Sequence, residues 1–217
     1  MATKKVDWNE AVKPLIKKYK GNKHPLEYKN TYQLLIMVIL SAQDSDKHIN
    51  AVAPPFFKAY PTLKSLTKAK ADDLFPYIGK VRGFAKKADW ITRIAQEIKD
   101  DKKIPLTMEA LVELPGIGRK SANVIMREAG VKKAEGVMVD LHVVRVANRL
   151  GISKQEKGEK IEADIMSAVD EKNWGEAGMA MSFLGRETCR PTDPHHAECV
   201  MNKVCVYYAS LHKGKKK

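Results

Sequence analysis

Cysteine is scarce in this chain. Three cysteines occur among 217 residues, all between Cys189 and Cys205. An odd number with no visible secretory signal argues against a disulfide framework. It points to a reducing compartment, either a bacterial cytoplasm near the nucleoid or a nucleus, and to a protein that is not secreted. Long apolar runs are also missing. The longest, LLIMVIL over residues 34–40, is too short to span a bilayer and predicts a buried helix, so no membrane partner is expected. Sustained period-two alternation is absent, which speaks against a sheet-built fold, and GVMVDLHVV is too short to overturn that. Aromatic residues make up 7% of the chain, and Trp8, Trp90 and Trp174 sit at helical positions as core residues rather than base-stacking platforms. Carboxylates are outnumbered, 26 acidic against 39 basic side chains, for a net charge of +13. Such a surplus favours a polyanionic partner, because each neutralised phosphate releases counterions. A solvated basic surface is the plainer alternative.

What remains reads as helix almost throughout, so the expected fold class is all-α. TYQLLIMVILSAQ is apolar nearly all round and belongs at a core. DSDKHINAVAPPFFKAY predicts a helix interrupted at Pro54 and Pro55. FAKKADWITRIAQEIKDD puts Ala88, Ile91, Ala95 and Ile98 on one face, with Lys86 and Lys87 on a solvated face. Thr107 suits an N-cap for MEALVEL, Gly130 closes SANVIMREAG, and Gly151 closes the helix that starts after Asp140. EKIEADIMSAV and WGEAGMAMSFLGRETC supply further helices, and KGKKK a basic tail.

LPGIGRK, residues 114–120, lies between two of these helices. Pro115 stiffens the loop, and Gly116 and Gly118 can take positive φ and leave room for close approach. The amides that follow, at a helix N-terminus, make a site for a phosphate. A helix-hairpin-helix of this kind positions DNA without reading bases. Lys120 is then either one more phosphate contact or an attacking amine.

Asp140, twenty positions later in VDLHVVRVANRL, bears on that choice. It can cap the helix that begins at Leu141. It can also stabilise the oxocarbenium-like charge that develops at C1′ of a nucleotide as its base departs. A neutral lysine could attack that carbon, and a helix N-terminus, Arg119 and desolvation would all favour the neutral amine.

LLIMVILSAQDSDKHIN, LPGIGRKSANVIM, VDLHVVRVANRLG and FLGRETC, in that order, resemble the endonuclease III family of helix-hairpin-helix DNA glycosylase/lyases. The resemblance runs from about Lys29 to Cys205. It implies two helical domains with a DNA-binding cleft between them: a six-helix domain over 25–135 carrying the helix-hairpin-helix, and a second made of 1–24 and 136–217. It implies Lys120 as nucleophile and Asp140 as catalytic carboxylate. Gln43 matches the residue that enters the gap left by a flipped base. Leu114, Gly116, Gly118, Arg119 and His142 are implied DNA contacts, and Asp46 and Leu141 line the substrate pocket. The implied function is base-excision repair by a monomeric, bifunctional glycosylase and abasic-site lyase. Its partner is duplex DNA holding a damaged base or abasic site, and its substrates are oxidised pyrimidines. The alternatives are a mismatch-directed thymine, uracil or adenine glycosylase, and a non-catalytic helix-hairpin-helix binder.

Three departures from the family stand out. The family holds a [4Fe–4S] cluster on C-x6-C-x2-C-x5-C, whereas here Cys189, Cys199 and Cys205 match and His196 occupies the remaining place. The expectations are a cluster with one histidine ligand, a zinc ion, or no metal. The stretch IGKVRGFAKKADWI is longer than usual before Phe84, leaving Val81, Arg82 and Phe84 as candidates for a side chain that enters the duplex. Leu141 replaces a small polar residue. Arg145 and Arg149 are left between DNA contact and salt bridges.

Overall fold

The computed structural model describes residues 6–212. It contains α1 (Trp8–Ala11), α2 (Lys13–Tyr19), α3 (Thr31–Ser41), α4 (Asp46–Ala59), α5 (Leu63–Leu66), α6 (Ala71–Ile78) and α7 (Phe84–Ile98). These are followed by α8 (Met108–Glu113), α9 (Arg119–Glu128), α10 (Leu141–Leu150), α11 (Gly158–Ala168), α12 (Trp174–Glu187) and α13 (Val206–His212). No strand occurs among the described residues, and no helix there is long and apolar enough to cross a membrane. The KGKKK tail lies outside the described residues. The chain divides into two compact units: Lys23–Lys132, and the two chain ends up to Asn22 and from Lys133.

The Lys23–Lys132 unit is built round α3. Asn30 caps it, accepting the Gln33 N–H, and every residue from Leu34 to Leu40 is buried. Each such side chain contributes about 1.5–3 kcal/mol on leaving water. Helices α4, α7 and α9 pack against α3, and α8 packs on α9. The α4 helix runs through Pro54 and Pro55 without the expected break. Both prolines are exposed, so the carbonyls that lose their intrahelical donors can bond water instead. Past the end of α9, Gly130 takes φ 78°. Its N–H donates to Arg127 O, and that of Val131 to Met126 O, which satisfies the last carbonyls of the helix.

The second unit centres on α12, which packs against α2 and α10. Gly178, Ser182 and Gly185 lie four and three residues apart and so share one face. A β-carbon at Gly178 would stand 2.5 Å from Met138 O, and one at Gly185 2.8 Å from His142 Cβ. Those two glycines allow α12 to lie directly against the backbone on either side of Asp140.

Candidate active site

In the Lys23–Lys132 unit the hairpin joins α8 to α9. Thr107 caps α8 through the Ala110 N–H. Gly116 has φ 83°, and a β-carbon there would meet the Trp90 ring at 2.4 Å. Both the conformation and the close approach therefore require glycine. Trp90 is the floor of the hairpin, with Lys86 Nζ over its ring at 5.0 Å. Gly118 departs from the positive φ expected of it. Its backbone is extended (φ −101°), and a β-carbon there would meet nothing within 4 Å. Gly118 is the N-cap of α9 and, having no side chain, leaves the first turn of that helix without a side-chain cap. Arg119 and Lys120 open that turn, exposed to solvent. The desolvation expected around Lys120 is thus not supplied by the protein alone. Leu114 lies inside the hairpin. Its side chain is 4% exposed, and its one donor, the N–H, is bonded to Leu111 O. It braces the hairpin and has no group to offer a phosphate.

The turn after α3 holds Gln43 at φ 59°. A residue with a β-carbon sits there at a cost of about 1–2 kcal/mol, so the surroundings must impose it. Lys87 does part of this. It is 4% exposed rather than solvated, and its Nζ donates to Leu40 O at 2.8 Å and Ala42 O at 2.6 Å. Burial lowers its pKa from the usual lysine value. Asp44 does the rest: its carboxylate accepts the N–H groups of Ser45 and Arg82 and meets His48 Nδ1 at 2.8 Å. Burial alone would raise the Asp44 pKa, but these hydrogen bonds together hold it below the ordinary carboxylate value. Asp46 follows as the first residue of α4, which Ser45 caps.

In the other unit Asp140 is the N-cap of α10. Its Oδ1 accepts the Val143 N–H at 2.8 Å, and its Oδ2 accepts the Ser182 hydroxyl at 2.6 Å. Arg186 Nη2 lies 3.7 Å from Oδ2. Two hydrogen bonds and one ion pair thus fix one carboxylate. Beside it Leu141 is 83% exposed. His142 is half-buried, and its Nδ1 lies 3.1 Å from Arg145 Nη2. A guanidinium only donates, so Nδ1 accepts and a neutral His142 carries its proton on Nε2. Burial, with Arg186 and Arg145 nearby, lowers the pKa of His142 against the opposing pull of Asp140.

Arg145 and Arg149 resolve into neither of their expected roles. Arg145 donates to the carbonyls of Cys189 and Gly185. Arg149 donates to the carbonyl of Arg190 and to Cys189 Sγ, and its guanidinium stacks on the Tyr207 ring at 4.8 Å. Both hold the cysteine loop. Cys189, Cys199 and Cys205 are free and buried, and burial raises the pKa of the Cys199 and Cys205 thiols. With His196 they line one small cavity of about 10 Å³. His196 Nε2 is buried there without a hydrogen-bond partner. Its pKa is lowered by burial and by Arg149, which favours the neutral imidazole. Among the described residues no three such donors converge on a single ion. Three buried thiols with one orphaned imidazole nitrogen form a donor set suited to an iron–sulfur cluster. The loop would have to open for a group of that size.

A family model described as HhH-GPD superfamily base excision DNA repair protein matches residues 36–171. Endonuclease III of Synechocystis sp. is 34% identical over 208 residues, 94% of each chain. That of Thermotoga maritima is 32% identical over 94% of this chain and 95% of its own. The chain belongs to the endonuclease III family. It is a base-excision DNA glycosylase with abasic-site lyase activity. An endonuclease III in a non-covalent complex with DNA superposes with a TM-score of 0.83 at 27% identity, covering 98% of this chain and all of that one. An endonuclease III trapped as a covalent intermediate with DNA also gives 0.83, at 28% identity, covering 97% and 99%.

The sequence reading missed Ser182, Arg186, Asp44 and Lys87. The small residues at 178, 182 and 185 were a visible signal for a close helix contact. Nothing in the sequence marked Asp44 as the acceptor for a turn 38 residues away.

Proposed function

We propose that this enzyme removes oxidised or ring-saturated pyrimidines from duplex DNA, with Lys120 as nucleophile and Asp140 as the stabilising carboxylate. On this reading the uncapped start of α9 and Arg119 take a DNA phosphate, with Gly118 leaving room for it. Gln43 enters the stack where the damaged nucleotide has left. The DNA itself would exclude water from Lys120. Its neutral amine attacks C1′, and the base departs with the electron pair of the glycosidic bond. The fixed Asp140 carboxylate offsets the positive charge on the sugar. The amine gives up a proton, the sugar ring opens to a Schiff base, and loss of a C2′ proton expels the 3′ phosphate.

The observation that carries the reading is the Asp140 carboxylate held by the Val143 N–H and the Ser182 hydroxyl with an 83% exposed leucine beside it. A leucine left in water gains about 1.5–3 kcal/mol when a base packs on it. A non-planar, ring-saturated pyrimidine can press its apolar face there.

Cys189, His196, Cys199 and Cys205 would hold a [4Fe–4S] cluster, which when bound ties four points of one loop to a common redox-active core. The supporting observation is the unpartnered Nε2 of His196 among three buried thiols. The test of substrate is a panel of duplexes, each with one lesion or mispair. Release of ring-saturated or oxidised pyrimidines ahead of mispaired thymine, uracil or adenine supports the reading, and the reverse order overturns it.

A further inference from the structure

The Lys23–Lys132 unit has a cavity that the DNA chemistry leaves unused. It holds about 780 Å³, within the range of roughly 300–1,000 Å³ usual for ligand sites. One wall is the loop from Lys23 to Lys29, and the other is α4 from Asn50 to Lys58. Gln43, Asp46 and Lys120, from the same unit, do not line it. The loop is tied down on both sides. Asn50 Oδ1 accepts the Glu27 N–H at 2.9 Å, and Asn50 Nδ2 donates to Pro25 O at 3.0 Å. The Tyr28 hydroxyl donates to Glu128 at the end of α9. The cavity is therefore built into the unit, and a ligand would not have to order it.

Its floor is apolar. Leu26 and Ala53 there are buried, and Phe57 is half-buried. Its rim is basic: Lys23, Lys29 and Lys58 are exposed, against one carboxylate, that of Glu27. The wall also holds an acceptor. Pro54 has no N–H to give Asn50 O, so that carbonyl lacks its helical donor and can take one from a ligand. Duplex DNA would meet the lysines and leave the floor unused, because a stiff duplex presents phosphates, not apolar groups, to a recess. A single phosphate group also matches poorly. The lysines come from separate places in the chain, whereas a phosphate site gathers its donors, often at a helix N-terminus. The helix N-terminus at this cavity, that of α3, is already taken. Asn30 accepts the Gln33 N–H there, and Gln33 Oε1 accepts that of Lys29.

We propose that this cavity docks an acidic peptide segment of a partner protein, whose carboxylates meet the three lysines and whose apolar side chain seats on Leu26, Ala53 and Phe57. Such a segment also supplies a backbone N–H for Asn50 O. Acidic segments with few apolar residues stay unfolded until bound. One buried anchor gives such a segment its affinity, and the charged surround gives it selectivity. The assignment is independent of which base the enzyme releases.

The probe is a fluorescein-labelled synthetic peptide of four aspartates followed by leucine and phenylalanine, and the readout is its fluorescence anisotropy with the enzyme. One control peptide replaces the aspartates with asparagines, the other replaces the two apolar residues with glycines. Each control should bind more weakly than the probe by about ten-fold or more. The Lys29→Glu, Lys58→Glu double variant reverses charge at two exposed positions. It should cost the probe about ten-fold or more and leave base release from a lesion duplex unchanged. Phe57→Ser should cost as much. It also removes a ring contact with Tyr32, so the lysine variant keeps the test valid if the Phe57 variant does not fold. Saturating abasic-site duplex should leave the probe bound. A probe that does not bind, or binds no better than its glycine control, overturns the proposal. So does a double variant that binds the probe as well as the wild type. Displacement of the probe by the duplex would put it on the DNA-binding surface and overturns the proposal as well. Adenosine triphosphate that binds more tightly than the probe, and is lost in the double variant, would give the cavity to a nucleotide instead. A dimer lost in the same variant would give it to a second copy of this chain. Either result overturns the peptide assignment.

Discussion

The Ser182 hydroxyl donates to Asp140 Oδ2 at 2.6 Å, from a position 2% exposed. The carboxylate is thus aimed by α12 as well as by the helix it caps. Ser182→Ala removes that donor and leaves Oδ2 with Arg186 at 3.7 Å. Hydrogen bonds to charged groups contribute about 1.5–3 kcal/mol. We expect a loss of that size in denaturant unfolding, together with a drop in base-release rate of about ten-fold or more. Asp140→Asn should slow release by about 10²–10³, the scale of a lost electrostatic stabiliser. A variant as fast as wild type would make Asp140 a helix cap and nothing more.

Gly178 and Gly116 should resist substitution for different reasons. Gly178→Ala would set its new methyl group 2.5 Å from Met138 O. Overpacking of this kind costs about 1–3 kcal/mol, more than the gain in helix propensity of about 1 kcal/mol. Gly116→Ala meets the Trp90 ring and a positive φ together. Thermal melting should show both variants destabilised, and DNA binding should weaken further in the Gly116 variant because its change lies within the hairpin.

Leu141 offers a test of the pocket. Leu141→Thr keeps the backbone and removes the apolar surface. With about 1.5–3 kcal/mol at stake, kcat/KM for ring-saturated pyrimidines should fall by about ten-fold or more, while the melting temperature stays the same, since the side chain is 83% exposed. Equal kcat/KM in the two proteins would take Leu141 out of the pocket.

Much of this could be read from the residues alone, and what could not be shares one cause. Periodicity and caps located the helices, because Thr107, Asp140 and Gly130 act locally. The hairpin and its lysine were visible for the same reason. Lys87 looked solvated because its neighbours in sequence are charged, yet its amine caps carbonyls more than 40 residues away. Arg145 and Arg149 likewise find their acceptors in the cysteine loop. Partners fixed by tertiary packing leave no periodic trace. Pro54 and Pro55 failed in the opposite sense: a strong local rule yielded to a helix whose exposed carbonyls can turn to water.

His142 sets a pH dependence. Its folded-state pKa is lowered, chiefly by burial, below the unfolded value of about 6.5. The unfolded chain therefore takes up the proton first, and stability is lost as pH falls below about 6.5. Urea unfolding between about pH 5 and 8 should show this slope, and His142→Phe should reduce it. The His142 ring signals in NMR should titrate below the usual histidine range. Titration at or above that range would contradict the burial argument.

The central claim is that Lys120 forms a covalent bond with the sugar. Borohydride reduction in the presence of abasic-site duplex DNA measures it directly. The account predicts a stable protein–DNA adduct with the wild type and none with Lys120→Ala, whose DNA binding persists. Wild-type protein that binds the duplex without forming the adduct, or a Lys120→Ala variant that forms it as well as the wild type, would contradict the account.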